Sequence, residues 1–167
     1  FDDGWTNILF VGRIIPNKKI EDVVKMFHVY QKNINANSRL FIVGDYRGFA
    51  RYYWTVRDLV RSLEAQRVHF TGHVTNEEVA AYYRMRDLFV CMSEHEGFCV
   101  PLLEAFHFDI PVIAAASSAI PDTLRGAGVL FETKDVGAMA EMAEHLRLDA
   151  EFRNSVLEGQ RDALASY

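Results

Sequence analysis

Short apolar segments alternate with longer amphipathic stretches along the whole chain. The short segments have the length of buried strands, and the longer stretches carry apolar residues at the 3.6-residue spacing of helices. The predicted strands are 7–12, 39–44, 68–71, 87–92, 110–115 and 128–131. The predicted helices are about 20–34, 48–65, 76–85, 101–108, 135–147 and 150–165. Because connections that contain a helix join parallel strands, this order predicts an α/β fold with a Rossmann-like, doubly wound parallel sheet.

Three helix starts carry recognisable caps. Thr75 and Glu78 have the spacing of a capping box, in which each side chain bonds the backbone N–H of the other residue. Asp135 and Asp149 stand just before two further helical stretches, where a carboxylate can accept from first-turn N–H groups. These positions predict where the third and the last two helices begin.

Length and composition bound the class of protein. With 167 residues, half of them apolar, the chain fits one domain, 1–167, with a sizeable core. No apolar run is long enough to cross a bilayer, and the acidic start does not resemble a signal peptide. We therefore expect a cytoplasmic piece of a longer protein, cut at a linker. The net charge of −5 argues against a nucleic-acid partner, because phosphate backbones require a basic surface.

Cysteine and histidine spacing predicts no metal site. Cys91 and Cys99 have neither the spacing of metal ligands nor that of a disulfide framework. We expect both to be free thiols, as in a reducing cytoplasm. The six histidines are scattered and form no cluster with carboxylates that would hold a metal.

The segment 93–106 places two carboxylates around a loop that becomes a helix. Pro101 suits the first helical turn, and a helix N-terminus offers free N–H groups and partial positive charge to a diphosphate. Gly97 lets the backbone come close to a ligand. Glu96 and Glu104, eight positions apart, flank this point, and each can accept two hydrogen bonds from neighbouring sugar hydroxyls. The alternative is that Glu104 only complements the helix dipole while Glu96 is solvated.

A basic turn follows the first predicted strand. Within it an arginine such as Arg13 can offer a bidentate fork to phosphate oxygens, and a lysine such as Lys18 a point charge. In the usual doubly wound order the first and fourth strands are neighbours where the order reverses, which brings Arg13 and Glu96 together. The alternative is a solvated basic turn, which is the interpretation we adopt for Lys19.

Two segments resemble one enzyme family. Residues 96–114, EGFCVPLLEAFHFDIPVIA, resemble the E-x7-E motif of the retaining, GT-B-fold glycosyltransferases of family four, and residues 12–18 resemble its G-R-x-x-P-x-K turn. The resemblance implies that Glu104 binds ribose hydroxyls and that Glu96 faces the donor sugar. The resemblance also implies that further residues of the two motifs surround the sugar and the diphosphate: Gly12, Arg13, Lys18, Gly97, Phe98, Cys99 and Val100.

The match continues beyond these motifs. Residues 70–74 resemble the family's F-x-G-x-V segment, which implies that His73 and Val74 border the nucleobase, with Val74 packed on the base. Cys99 stands where the family has Gly, so its side chain can crowd or tune the sugar pocket. Asp109 replaces a helix-ending Gly and tolerates the left-handed conformation that this position needs. Residues 119–122 resemble an I/L-P-E turn, whose expected role is packing under the sugar loop.

The resemblance implies the C-terminal, donor-binding half of a two-domain enzyme. Such an enzyme moves a hexosyl group, for example mannosyl, from a GDP-, UDP- or ADP-sugar to an acceptor hydroxyl with retention, by a front-face displacement that needs no metal or cofactor. The missing N-terminal domain would hold a saccharide or lipid-linked acceptor during polysaccharide or glycoconjugate synthesis. Any membrane contact would be peripheral, at the inner face, through that domain. The alternatives are a GT-B epimerase or phosphorylase and a non-catalytic nucleotide-sugar-binding module.

Overall fold

The computed structural model describes residues 3–167, so Phe1 and Asp2 of the acidic start lie outside it. Its strands are β1 (Thr6–Val11), β2 (Ser38–Val43), β3 (Val68–Phe70), β4 (Leu88–Cys91), β5 (Val112–Ala115) and β6 (Val129–Phe131). They form one sheet in the order β3-β2-β1-β4-β5-β6, and every neighbouring pair is parallel. The order reverses between β1 and β4. The predicted doubly wound, Rossmann-like α/β fold is therefore confirmed.

Helices connect the strands throughout. They are α1 (Ile20–Asn33), α2 (Ala50–Ser62), α3 (Asn76–Arg84), α4 (Val100–His107), α5 (Ile120–Leu124), α6 (Val136–Leu148) and α7 (Ala150–Ala165), with a 3₁₀ turn at Pro16–Lys18. No helix within residues 3–167 combines the length and the apolarity that a membrane crossing needs.

The main differences from the predicted elements are one missed helix and two shifted boundaries. The helix α5 was missed because five residues are too few to show a helical period. The strand β5 begins at Val112 rather than at 110, because Ile110 N–H closes the preceding helix on Ala105 O and Pro111 has no N–H. The helix α2 ends at Ser62 rather than at 65, since Glu64 adopts the left-handed conformation at φ 55°.

The sheet is covered on both faces, as an all-parallel sheet requires. Along β1, Ile8 and Phe10 point into one apolar cluster with residues of α1 and α6, while Leu9 between them points into a second cluster with α4. This alternation follows from the two-residue period of a strand. Burial on both sides makes β1 an apolar run without polar alternation, which is why it was recognised from sequence.

The predicted caps are present. The Thr75 hydroxyl accepts from Glu78 N–H, and the Glu78 carboxylate accepts from Thr75 N–H at 2.7 Å. Asp135 accepts from the N–H of Ala138 and begins α6, and Asp149 accepts from the N–H of residue 152 and begins α7. These contacts are local in sequence, so the spacing of the residues was enough to predict them.

Gly44 allows the chain after β2 to pass against the chain after β1. Its φ is 155°, and a Cβ added there would lie 1.9 Å from the carbonyl oxygen of Gly12. Backbone hydrogen bonds hold the two turns together, from Gly12 N–H to Val43 O and from Ile14 N–H to Asp45 O, both at 2.9 Å. No side chain at position 44 fits between the two turns. A glycine at this position therefore allows the turn after β1 to lie against the turn after β2.

We expect Gly44→Ala to lower the free energy of unfolding by about 2–3 kcal/mol, because the new methyl group forces the two turns apart. Urea unfolding followed by circular dichroism measures the change. The matched control is Gly159→Ala in α7, where an added Cβ meets nothing within 4 Å. That variant should gain about 0.5–1 kcal/mol from helix propensity. Equal stability of Gly44→Ala and the parent chain would contradict the close packing of the two turns.

Candidate functional site

An ion pair joins the two segments that leave the sheet at its reversal point. The turn 12–18 follows β1, the loop 93–99 follows β4, and Lys18 Nζ lies 2.5 Å from Glu96 Oε1. The two side chains are 15% and 8% exposed, so the pair is largely shielded from water. The sequence predicted that the basic turn 12–18 and the loop that carries Glu96 lie close together. In the structure the two segments are in direct contact.

The backbone of the same loop is bonded to the turn after β1. Glu94 N–H donates to Asn17 O at 2.8 Å, and the Asn17 side-chain amide donates to His95 O at 2.9 Å. Lys19 Nζ lies 3.3 Å from a Glu94 carboxylate oxygen, and this bond raises the pKa of Lys19. Lys19 is thus solvent-accessible, as expected, and in addition forms a surface ion pair with Glu94. Asn17 was missed, because its partners lie almost half the chain away and nothing local marks it.

Hydroxyl groups hold the loop from its other side. Ser118 Oγ donates to Glu96 O at 2.9 Å, Thr123 Oγ1 donates to Phe98 O at 2.5 Å, and Ser117 Oγ donates to Glu94 O. All three donors lie in or just before α5, the short helix that sequence analysis missed. The turn 119–122 thus belongs to the segment that packs against the loop, as expected. Hydrogen bonds therefore hold the loop both from the turn after β1 and from α5.

The helix α4 begins directly after the loop. Cys99 is its N-cap residue, with φ 58°, and makes no side-chain cap, while Pro101 lies in the first turn as predicted. The left-handed conformation costs a non-glycine residue about 1–2 kcal/mol, which explains why the family motif has Gly where this chain has Cys99. Asp109 after α4 is also left-handed, at φ 53°, as predicted. Pro101 has no N–H and Leu102 N–H donates to Cys99 O at 3.0 Å, so the Val100 N–H is the group at this helix start that is available to an anion.

The thiol of Cys99 points inward rather than to solvent. Cys91 and Cys99 are 2% and 7% exposed, and their sulfur atoms are 3.8 Å apart. Both are free thiols, as expected, but their sequence spacing did not predict that they touch. The hydrogen bond between them lowers the pKa of Cys91 and raises that of Cys99, because one thiol keeps the shared proton. Together with Glu96 they form a three-ligand cluster that sequence reasoning missed.

Glu104 is bonded to a different segment of the chain from Glu96. It lies in the second turn of α4, half-buried, and Tyr83 on α3 donates its hydroxyl to Glu104 Oε2 at 2.7 Å. Burial and the neighbouring carboxylate raise the pKa of Tyr83 well above its ordinary value, so this phenol remains a donor. Tyr83 was missed because it lies among the apolar residues of its helix. A cavity of about 230 Å³ adjoins the pair, lined by Asn76, Val79, Ala80, Tyr83, Glu104 and Phe108.

The remaining predicted residues line the loops at the carboxyl edge of the sheet. Arg13 is exposed, has no ion-pair partner among residues 3–167, and lies 5.5 Å above the ring of Phe49. His73 is exposed, while Val74 is half-buried against the second apolar cluster. Three further predicted residues, Gly97, Phe98 and Val100, lie on or directly after the loop 93–99 and are exposed. Gly12, in the turn 12–18, is half-buried.

Comparison with known proteins identifies the family. The sequence profile of the family described as Glycosyl transferases group 1 matches residues 2–162. The chain belongs to the group 1 glycosyltransferases. It is 32% identical over 150 residues to an N-acetyl-alpha-D-glucosaminyl L-malate synthase of Bacillus anthracis, covering 88% of this chain and 37% of that protein. It is 26% identical over 133 residues to O-antigen chain mannosyltransferase B of Escherichia coli, covering 79% and 34%.

A solved structure shows the same fold. The C-terminal domain of a glycosyl transferase group 1 family protein from Francisella tularensis aligns with a TM-score of 0.79 at 23% identity, over 97% of this chain and 85% of that one. The chain thus spans little more than a third of the curated relatives that it matches and most of a solved C-terminal domain. The motif resemblance to glycosyltransferases of this kind is confirmed.

We expect the Lys18–Glu96 pair to show strong energetic coupling. Lys18→Met alone leaves a shielded carboxylate unpaired and should cost about 3–5 kcal/mol of unfolding free energy. Adding Glu96→Gln should recover part of that loss, with a coupling of about 0.5–3 kcal/mol in a double-mutant cycle. Chemical denaturation of the four variants measures it.

The control cycle uses Asp58 and Arg61 on α2, whose side chains are 69% and 63% exposed. Water and salt screen such a pair, so its coupling should be only a few tenths of a kcal/mol. Additive effects of Lys18→Met and Glu96→Gln would show that the buried contact contributes nothing specific.

Proposed function

We propose that this chain is the donor-binding domain of a retaining glycosyltransferase that moves a hexosyl group from a nucleotide sugar to an acceptor hydroxyl. The observation that carries the proposal is the contact of Lys18 with Glu96 beside the uncapped N-terminus of α4. It places a cation, a carboxylate and a backbone N–H group in one shielded corner. A nucleotide sugar presents the matching groups, a diphosphate next to a polyol.

Each part of the donor has a proposed partner. The diphosphate binds at the start of α4, with Arg13 and Lys18 as its cations, and the ribose hydroxyls bond to Glu104. Arg13 suits this role because its exposed guanidinium has no ion-pair partner within residues 3–167. Glu104 retains acceptor capacity, since Tyr83 bonds to one of its two oxygens. The nucleobase lies against Val74 and His73, and Glu96 faces the transferred sugar.

The chemistry that we propose for these groups is electrostatic. As the bond from the anomeric carbon to the diphosphate breaks, negative charge grows on the leaving phosphate oxygen. Lys18, Arg13 and the Val100 N–H at the start of α4 stabilise that charge from fixed positions. The leaving phosphate accepts the proton of the acceptor hydroxyl on the same face, which gives retention. Because these groups compensate the charge of the diphosphate, we propose that donor binding needs no metal ion or cofactor.

The likeness to a mannosyltransferase and an N-acetylglucosaminyl transfer enzyme supports a hexose-type donor. We propose mannosyl as the first sugar to test, carried by GDP, UDP or ADP, in a protein that acts in the cytoplasm. An N-terminal domain of the longer protein would bind the saccharide or lipid-linked acceptor. The competing proposal is a non-catalytic nucleotide-sugar-binding module, which would bind the donor equally well without transfer.

We expect the chain to bind a nucleoside diphosphate more tightly than the nucleoside, measured by titration calorimetry with the GDP, UDP and ADP series. Arg13→Ala should weaken diphosphate binding by about 1.5–3 kcal/mol, the value of a charge-assisted hydrogen bond. Glu104→Ala should weaken nucleoside and diphosphate alike through the ribose. Glu96→Ala should matter mainly for the intact nucleotide sugar.

The control for charge is Arg61→Ala, which removes a cation from the far end of α2 and should leave binding unchanged. Binding of the diphosphate should also survive excess chelator. Equal affinity for nucleoside and diphosphate would rule out the phosphate site, and a strict requirement for Mg²⁺ or Mn²⁺ would rule out the proposed cations.

We expect the longer protein to transfer sugar with retention, and this chain alone to transfer none. Transfer needs acceptor and donor held together in a closed cleft, of which this domain forms one wall. Proton NMR of the first product formed gives the anomeric configuration. Lys18→Ala and Glu96→Ala in the longer protein should abolish transfer while circular dichroism stays native. Donor binding without transfer by the longer protein would favour the non-catalytic module, and an inverted product would refute retention.

A further inference from the structure

Two buried thiols and a carboxylate converge directly behind the proposed sugar position. Cys91 is the last residue of β4, Cys99 caps α4, and Glu96 lies on the loop between them. One sulfur from each cysteine and one carboxylate oxygen all lie within 4.8 Å of one another. The three side chains come from one short segment, and the fold closes it into a ring of potential ligands.

The distance between the sulfur atoms is compatible with both thiols binding one metal ion. A disulfide requires about 2.05 Å between the sulfurs, so each cysteine would have to move inward. Two sulfurs that each lie about 2.3 Å from a tetrahedral zinc ion are about 3.8 Å apart. The observed separation of 3.8 Å equals this sulfur–sulfur distance in a zinc chelate.

The types of ligand indicate which metal ions this cluster would bind. Two thiolates select soft or borderline metals such as zinc and cadmium over magnesium or calcium, which prefer oxygen ligands. A carboxylate completes a three-ligand set of the kind that leaves one position open to water. Binding forms two metal–sulfur bonds and releases the two thiol protons to solvent, so no oxidant or reductant takes part.

A metal ion bound to this cluster would alter the contact between Lys18 and Glu96. Glu96 Oε1 is bonded to Lys18 Nζ at 2.5 Å, so a cation bound to this carboxylate would lie next to the ammonium group. Repulsion between the two cations would drive Lys18 away, and Glu96 would no longer be free to meet the sugar. We infer that Cys91, Cys99 and Glu96 form an inhibitory site for a thiophilic divalent metal ion of the zinc class. The inhibition, though not the metal site itself, rests on the proposed donor function.

Cadmium titration of the chain, with the thiols kept reduced by a phosphine, tests the site directly. We expect thiolate-to-metal charge-transfer absorption in the ultraviolet that saturates at one equivalent. Cys91→Ala and Cys99→Gly should each abolish it at stoichiometric metal, and Glu96→Gln should lower cadmium affinity by at least about tenfold. Cys99→Gly is the variant expected to fold best, because glycine suits the left-handed N-cap.

Two results would overturn the metal site. One is the absence of this absorption from the parent chain, and the other is its persistence at one equivalent in Cys99→Gly. Mass spectrometry after exposure to oxidised glutathione provides the competing outcome. Loss of two hydrogens within the chain, with no metal absorption under reducing conditions, would show that the pair is a redox dithiol instead.

The inhibitory role needs a second measurement. We expect zinc to weaken nucleotide-sugar binding by the parent chain at least about tenfold, as judged by calorimetry at fixed free donor. Cys91→Ala serves as the matched control, because it removes a metal ligand outside the proposed donor site and zinc complexes with the donor in solution to the same extent in both samples. Equal sensitivity to zinc in both chains would refute the inhibition. If neither chain binds the donor, the proposed function fails while the cadmium absorption still decides the metal site.

Discussion

Parallel pairing of β1 with β4 is the constraint on which the rest of the structure depends. Since β1 is hydrogen-bonded to β2 on one side and to β4 on the other, the chain must cross the sheet in opposite directions from its centre. The segments that leave these two strands therefore start side by side and diverge. Lys18 and Glu96, separated by almost half the chain, meet in the gap that this divergence leaves.

Once the two segments start at that point, tight packing determines their shape. Gly44 lets the chain after β2 press on Gly12 and so directs the basic turn toward the glutamate loop. Asn17 then bonds that loop from one side, and the serine and threonine hydroxyls beside α5 bond it from the other. Uncharged side chains thus bond the loop in addition to the ion pairs of Lys18 and Lys19. Ligand binding to a preorganised loop loses less free energy to the ordering of that loop.

Cys99 shows how one position can serve the backbone and the chemistry at the same time. Its left-handed conformation is the one that glycine adopts most easily, so the cysteine side chain is retained at a cost in strain. The side chain points away from solvent and onto Cys91, at the far end of the same loop. This position therefore adds a second buried thiol next to Cys91 and Glu96.

Local patterns in the sequence determined the fold class, the helix starts and the identity of the two motifs. Strand and helix periods, the caps at Thr75, Asp135 and Asp149, and Pro101 after the loop each depend on neighbours within one or two turns. Such signals survive in a single sequence because they need no partner from elsewhere. The same reasoning failed at α5, where five residues carry no period.

Only the tertiary structure decided which side chains meet. The bonds of Lys18 to Glu96, Tyr83 to Glu104 and Asn17 to His95 join residues that are 21 to 78 positions apart. The contact of Cys91 with Cys99 spans only eight positions, yet it depends on a strand end and a left-handed cap folding back on each other. The strand order, which could be predicted, brings the loops to one edge of the sheet, but close packing decides which side chains touch, and the spacing of residues along the chain does not specify it.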